Sequence, residues 1–343
     1  MARNYKPLPS ICFAVDRPTP RQIYAANFRD RVVHHLIYMI CADWWDAHFV
    51  ETSFSCREGK GTLCGVKTMY RQMREVTENY NKKAYLIKLD LKGYFMSIPK
   101  DIAYNIMSGG LRQQFPDGGF LREICDYLWY ETIYNDPRKG AIIKGAPKAL
   151  AKVPPEKKLG YLGTSCGLPI GNLTSQLLSN AFLNELDQYI VNTLGYKYYG
   201  RYVDDFYYMV PEEDYERAKR DVVKIEQFAL VRLGAVVHPR KRIFVEVGKG
   251  VEFLGARIYK DCILPSDRYV ANLARAVEEW QNQRLAPANL EARIGIASHF
   301  NSYKIIRREL ARVGYRWGQK VSQRQTSISN TVEIGREPTE LRT

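Results

Sequence analysis

The sequence predicts an α+β protein built on a β-α-β-β-α-β core, and two observations carry that prediction. Ala84–Asp90 reads as a strand ending in a carboxylate. Tyr198–Val203 and Phe206–Val210, runs of β-branched and aromatic residues, flank Asp204-Asp205 and read as a tight hairpin. Two segments with apolar residues at helical spacing complete the pattern. One follows Gly171 and stops at Gly195; the other runs from Pro211 to Leu233 and stops at Gly234.

The chain has 343 residues and 45% hydrophobic content, enough for a sizeable core. Lys plus Arg number 51 against 37 Asp plus Glu, a formal charge of +14 that favours a polyanion, most simply nucleic acid. An anionic membrane surface is the competing partner, but no stretch approaches the roughly 18 apolar residues of a spanning helix. The N-terminus does not resemble a signal peptide. The 7 cysteines are scattered without CxxC spacing, which points away from zinc and disulfides and towards a reducing, cytoplasmic compartment.

In chain order, residues 1–20 are rich in proline and basic residues and are expected to be an irregular lead-in. Arg21–Ala25 is a short strand, and Phe28–Ile40 a helix with Asp30 as a candidate cap. His34-His35 is a poor metal pair, because neighbours on a helix point about 100° apart. Phe54–Thr62 interleaves glycines with Arg57 and Lys60, a basic loop able to approach phosphates but lacking the full P-loop spacing. A helix is expected from Leu63 to Tyr80, and residues 100–135 are expected to be mostly helical. Pro137–Thr164, lysine- and proline-rich, reads as a long mobile connection, either a flap over nucleic acid or a solvated insertion. Gly167–Gln176 turns into a helix that Asn172 or Thr174 can cap. Val236–Val245 sets a dense basic cluster beside strand-forming residues, Gly250–Ile258 is hairpin-like, and the pattern from Ser266 to about Tyr315 is helical and basic. From Lys320 onward the sequence is polar and aperiodic, a disordered tail.

The core topology places the end of the Asp90 strand beside the hairpin carrying Asp204 and Asp205. Taken alone, an Asp-Asp pair is more often simply a good turn dipeptide than a metal site. Three converging carboxylates would repel one another without a cation, so divalent metal is the natural partner. Oxygen-only ligands suit Mg2+, and two ions about 3.5–4 Å apart could clamp an in-line displacement at phosphorus, with Mn2+ a possible substitute.

With these residues in place, the chain resembles a reverse transcriptase. Tyr202-Val203-Asp204-Asp205 is similar to the family's Y-x-D-D hairpin, and Ile87-Lys88-Leu89-Asp90 with Phe95 to its first acidic motif. Leu168-Pro169-Ile170-Gly171-Asn172-Leu173-Thr174-Ser175-Gln176 has Ile170 where most relatives carry Gln, and Gln176 where they carry Pro. That pattern resembles diversity-generating retroelement reverse transcriptases. Phe28–His35, Cys56–Thr62, His238-Pro239-Arg240-Lys241 and Glu252-Phe253-Leu254-Gly255 are similar to that group's other motifs, in the same order. Members of the group commonly carry an N-terminal extension, whereas this sequence begins close to the first motif.

The resemblance implies a right-hand polymerase with fingers (1–83), an antiparallel, ferredoxin-like palm with an interleaved fingers segment (84–258) and a helical thumb (259–319). It implies that Asp90 and Asp204 bind both metals, with Asp205 a weaker third carboxylate and the Leu91 carbonyl completing one site. Phe95 would exclude a 2′-hydroxyl. Arg21, with Arg17, would hold the triphosphate, and Lys241 would approach the leaving pyrophosphate. Ile170, Gly171 and Gln176 would line the nucleotide. Arg57, Lys60, Phe253, Leu254 and Gly255 would contact nucleic acid. The implied activity is error-prone synthesis of cDNA from template RNA, notably at template adenines, for mutagenic retrohoming. The partners would be template RNA, the primer strand, dNTPs and a small basic, oligomeric accessory protein, in a prokaryotic or phage-infected cell. A retron-, group II intron- or defence-type enzyme, and a non-catalytic RNA-binding scaffold, are the alternatives.

Overall fold

A computed structural model describes residues 4–15 and 19–312. The chain separates into two compact units, Met1–Glu246 and Val247–Thr343.

The first unit contains strands β1 (Ile11–Val15), β2 (Arg21–Ala25), β3 (Ala84–Asp90), β4 (Ile142–Ile143), β5 (Tyr198–Tyr202), β6 (Asp205–Pro211) and β7 (Ile243–Glu246). Its helices are α1 (Phe28–His48), α2 (Thr62–Val76), α3 (Tyr94–Ser97), α4 (Lys100–Gln114), α5 (Phe120–Tyr134), α6 (Pro147–Ala151), α7 (Leu173–Gln188) and α8 (Tyr215–Leu233). The central sheet runs β5-β6-β3-β7, antiparallel throughout, as the β-α-β-β-α-β reading requires.

Both faces of this sheet are covered, which explains why β6 is a continuous apolar run rather than an alternating one. Tyr207 points to one face and donates its hydroxyl to Gln72 of α2 at 2.9 Å; Tyr208 points to the other and donates to the Ala218 carbonyl of α8 at 2.9 Å. Gly200 lies opposite Tyr207 in the ladder, and a Cβ there would stand 2.6 Å from the Tyr207 ring. Only glycine lets that ring lie flat over β5. The face towards α8 joins the main core, where Ile87, Leu89, Phe206 and Tyr208 pack with Ile37 and Trp45 of α1 and Leu183 and Leu186 of α7.

Three expectations are corrected in this unit. The lead-in is not irregular, because β1 pairs antiparallel with β2 over five positions. The prolines on either side, at 7, 9, 18 and 20, hide the short apolar run Ile11–Val15. Asp30 does not cap α1. Asn27 does, accepting from the Arg29 N–H, while buried Asp30 accepts from the Leu8 N–H at 2.8 Å and the Tyr5 hydroxyl at 3.1 Å. The connection after Pro137 holds structure of its own: β4 adds parallel to β1, α6 follows, and Val153 is buried.

The second unit carries an antiparallel meander of β8 (Val251–Phe253), β9 (Ala256–Ile258) and β10 (Ile263–Pro265). Helices α9 (Asp267–Gln281), α10 (Pro287–Ala297) and α11 (Tyr303–Ala311) pack around Leu273, Val277, Leu290, Ile294 and Leu310. Ser266 caps α9 by accepting from the Tyr269 N–H at 3.3 Å. Residues 251–258, expected to belong with the segment from residue 84, group with this unit, where β9 pairs with β8 and β10. The expected tail beyond Lys320 lies outside the described residues.

Candidate active site

Period two along a strand decides which side chains meet here. Asp90, the last residue of β3, is paired directly with Asp205, the first of β6, so both carboxylates lie on the α2 face of the sheet. The two-residue turn is Val203-Asp204 and not the Asp-Asp pair, because Tyr202 pairs with Asp205. Asp204 therefore occupies the turn itself, and its carbonyl accepts from the Leu91 N–H at 3.2 Å. The chain after β3 is tied down by the Asp90 carbonyl, which accepts from the His238 N–H at 2.7 Å. Val236 accepts from the Lys92 N–H at 2.8 Å, so the segment leading to Lys241 is held beside Asp90.

Two lysines reach the carboxylates. Lys241 Nζ stands 2.9 Å from Asp90 Oδ1, and Lys88 Nζ stands 2.9 Å from Asp205 Oδ2. Lys88 is not among the residues expected from the sequence, although its spacing marks it. It lies two residues before Asp90 on one strand and so shares its face.

The electrostatics are those of crowded negative charge. Burial, then the charge of Asp90 and, to a lesser extent, that of Asp205 push the Asp204 carboxyl up to about 6, against a smaller opposing pull from Arg21. Burial also lifts Asp205, opposed by Lys88. Its Oδ1 is buried without a hydrogen-bond partner. Among the described residues, no group of three or more His, Cys, Asp or Glu side chains stands ready-made around a metal position. The backbone brings the three carboxylates together, while Asp90 and Asp205 each give one oxygen to a lysine. An orphaned buried oxygen and a carboxyl whose ionisation its neighbours oppose nonetheless fit a divalent cation, whose charge would relieve both.

A pH dependence follows. Asp204 binds its proton more tightly in the folded chain than in the unfolded one. Its contribution to stability is therefore complete below the ordinary 3.8 and is lost as pH rises through about 6. Mg2+ competes with that proton. We expect saturating Mg2+ to raise the melting temperature by roughly 3 °C at pH 7.5 and by much less at pH 5, in a thermal-shift series. An equal rise at both pH values would separate the cation from Asp204.

Of the remaining candidates, Arg21 lies close enough for its charge to act on Asp204. Phe95 follows the left-handed Gly93 and packs, partly buried, against the core with its ring edge-on to Tyr94 at 5.3 Å. The Ile170 carbonyl accepts from the Tyr24 N–H of β2 at 3.1 Å, and Asn172 Oδ1 accepts from the Ala26 N–H at 3.1 Å. The strand that starts with exposed Arg21 is thereby fixed to the Ile170 loop. Gly171 sits at φ +114, where a Cβ would also stand 2.9 Å from Ile23. Gln176 is exposed on α7. Arg17 lies outside the described residues.

Other assignments meet different surroundings. Arg57 is 5% exposed and forks onto Asp46 (Nε–Oδ1 2.6 Å), also donating to the carbonyls of Val50 and Ser53, and Lys60 is paired with Glu51. These two cations close their own loop. Phe253 is fully buried, because alternate residues of β8 face inwards, and the neighbouring turn presents Leu254 and Gly255 instead.

The sheet topology and the carboxylate cluster at its end define a right-hand polymerase fold. The chain belongs to the reverse transcriptase family: residues 16–258 match the family described as Reverse transcriptase (RNA-dependent DNA polymerase). It is 24% identical over 192 residues to Protein YkfC of Escherichia coli (strain K12), covering 55% of this chain and 43% of that protein. It is also 24% identical over 172 residues to the Putative COX1/OXI3 intron 2 protein of Saccharomyces cerevisiae, covering 50% of this chain and 16% of that one. The match thus spans less than half the length of either relative. Among solved structures, telomerase from Candida albicans, in complex with a fragment of telomeric RNA, superposes with a TM-score of 0.52 at 10% identity, covering 91% of this chain and 55% of that one. No helix among the described residues is long and apolar enough to cross a membrane.

Proposed function

We propose that this chain is an RNA-directed DNA polymerase that copies a retroelement template RNA into error-prone cDNA. The observation that carries the reading is the pairing of Asp90 with Asp205 beside the Asp204 turn, with Lys241 2.9 Å from Asp90. Asp90 and Asp204, with the Leu91 carbonyl and Asp205 as a weaker third carboxylate, would hold two Mg2+ ions, for which Mn2+ could substitute. When bound, these ions supply Lewis-acid activation and charge neutralisation for transfer of a nucleotidyl group to a primer 3′-hydroxyl. The protein's part is to position and to stabilise charge. Lys241 presents an ammonium to the leaving pyrophosphate, and Arg21 approaches the triphosphate from β2. Phe95 sets an aromatic wall under the sugar, which selects deoxynucleotides.

Ile170 points to the subtype. Its carbonyl is committed to Tyr24, and its side chain offers the nucleotide no hydrogen bond where most relatives carry glutamine. A site that loses a hydrogen-bonding group discriminates less well between correct and incorrect pairs. This supports error-prone copying, and the resemblance to diversity-generating retroelement enzymes further implies mutations concentrated at template adenines, a template RNA bound through Lys and Arg, and a small basic partner protein. Ile170→Gln is expected to lower misincorporation at template adenine by about tenfold in single-turnover primer extension. The subtype is tested by extending the cognate RNA, with and without the partner, and sequencing the products. Errors confined to adenines support it; uniformly faithful products would favour a retron- or intron-type enzyme.

A further inference from the structure

On the face of the sheet opposite Asp90 and Asp205 lies a fully buried polar cluster. Arg201 of β5 and Asp187 of α7 are both 0% exposed and pair twice at 2.7 Å, through Nε with Oδ1 and through Nη2 with Oδ2. Tyr199 also donates its hydroxyl to Asp187. From this anchor Arg201 Nη1 donates to the Val203 carbonyl at 3.1 Å and to Asn180 Oδ1 at 3.3 Å, and Nη2 donates to Ser53 Oγ at 3.0 Å. Ser55 Oγ accepts from the Val203 N–H at 3.1 Å and donates to Asn180 Oδ1 at 3.2 Å; Asn180 Nδ2 donates to the Ser55 carbonyl at 2.7 Å.

Both main-chain polar groups of Val203 are thus held by side chains of one buried network. Val203 needs holding. It is β-branched, sits at φ +57, a conformation that such residues avoid, and directly precedes Asp204. Burying an ion pair generally stabilises a fold no better than apolar packing would, so stability alone gives little reason for the arrangement. We propose that Ser55, Asn180 and the Arg201–Asp187 pair are positioning residues that hold the Val203 turn in its strained conformation and so aim the Asp204 carboxylate. The idea rests on the polymerase reading above and adds to it a set of residues that touch neither substrate nor metal.

Ser55→Ala removes the acceptor of the Val203 N–H and leaves the ion pair in place. The expected result is a fall of about tenfold in kcat for dNTP addition, with KM for dNTP within about twofold, because a misplaced catalytic group costs turnover rather than binding. Affinity for Mn2+, titrated by electron paramagnetic resonance on the full chain, should weaken in parallel. Ser55→Thr, which keeps the hydroxyl, should restore both. Wild-type kcat and Mn2+ affinity in folded Ser55→Ala would overturn the proposal, as would losses that Ser55→Thr does not restore. If Ser55→Ala does not fold, Asn180→Ala, which removes the acceptor of the Ser55 hydroxyl, is scored in the same way. Should the wild-type chain extend no primer, the polymerase reading fails, and the Mn2+ titration alone decides the positioning claim.

Discussion

Asp204→Asn is expected to reduce Mg2+-dependent extension of a primer on RNA by at least about a thousandfold, the scale on which charge stabilisation at a two-metal site operates. The substitution keeps the shape of the turn residue and removes its charge. RNA binding should be little changed, since affinity for the phosphate backbone comes from Lys and Arg. The metal-free protein should melt no lower at neutral pH than wild type. Burial and the neighbouring charges of Asp90 and Asp205 already oppose ionisation of this carboxyl, so a neutral amide removes an unfavourable charge. Primer extension, filter binding and thermal melting together test this combination. Surviving extension would remove Asp204 from the metal site. Lost RNA binding, or a lowered melting temperature, would mean that the variant damages the fold instead.

Arg201→Met should be the most destabilising single change at the hairpin, costing about 3–5 kcal/mol in denaturant unfolding. The reason is what it leaves behind. Asp187 is 0% exposed and would keep a charge with only the Tyr199 hydroxyl as partner, while Ser53, Asn180 and the Val203 carbonyl each lose a donor. Adding Asp187→Leu removes the stranded charge and should recover most of the loss. A double-mutant cycle would then give a large coupling between the two positions. If the two losses simply add, the pair is not the anchor of the network.

The central sheet was legible in the sequence because its strands are bounded by strong signals. Asp90 with Gly93 after it, and the aromatic runs flanking Asp204, place β3, β5 and β6 within a residue or two. Gly234 ends α8 in the left-handed conformation, as such a glycine should. What could not be read were partnerships between distant residues. Nothing local marks Asp187 as the counter-ion of Arg201, or Gln72 as the partner of Tyr207, because those pairs are made by packing α7 and α2 on opposite faces of the sheet. The same limit explains Arg57, a basic residue in a glycine-rich loop that folds back onto Asp46. The turn itself was displaced by one residue, since Asp-Asp has good turn propensity and β-branched Val203 does not. The buried network holds both main-chain polar groups of Val203 there.

Nucleotide addition by the chain itself is the most direct test of the polymerase assignment. Purified protein, a DNA primer annealed to an RNA template, dNTPs and Mg2+ should give RNA-templated extension that stops on chelation with EDTA and resumes when Mg2+ or Mn2+ is restored. RNA that is bound tightly while no nucleotide is added, with either metal and with the partner protein present, would contradict it and leave the chain as an RNA-binding scaffold.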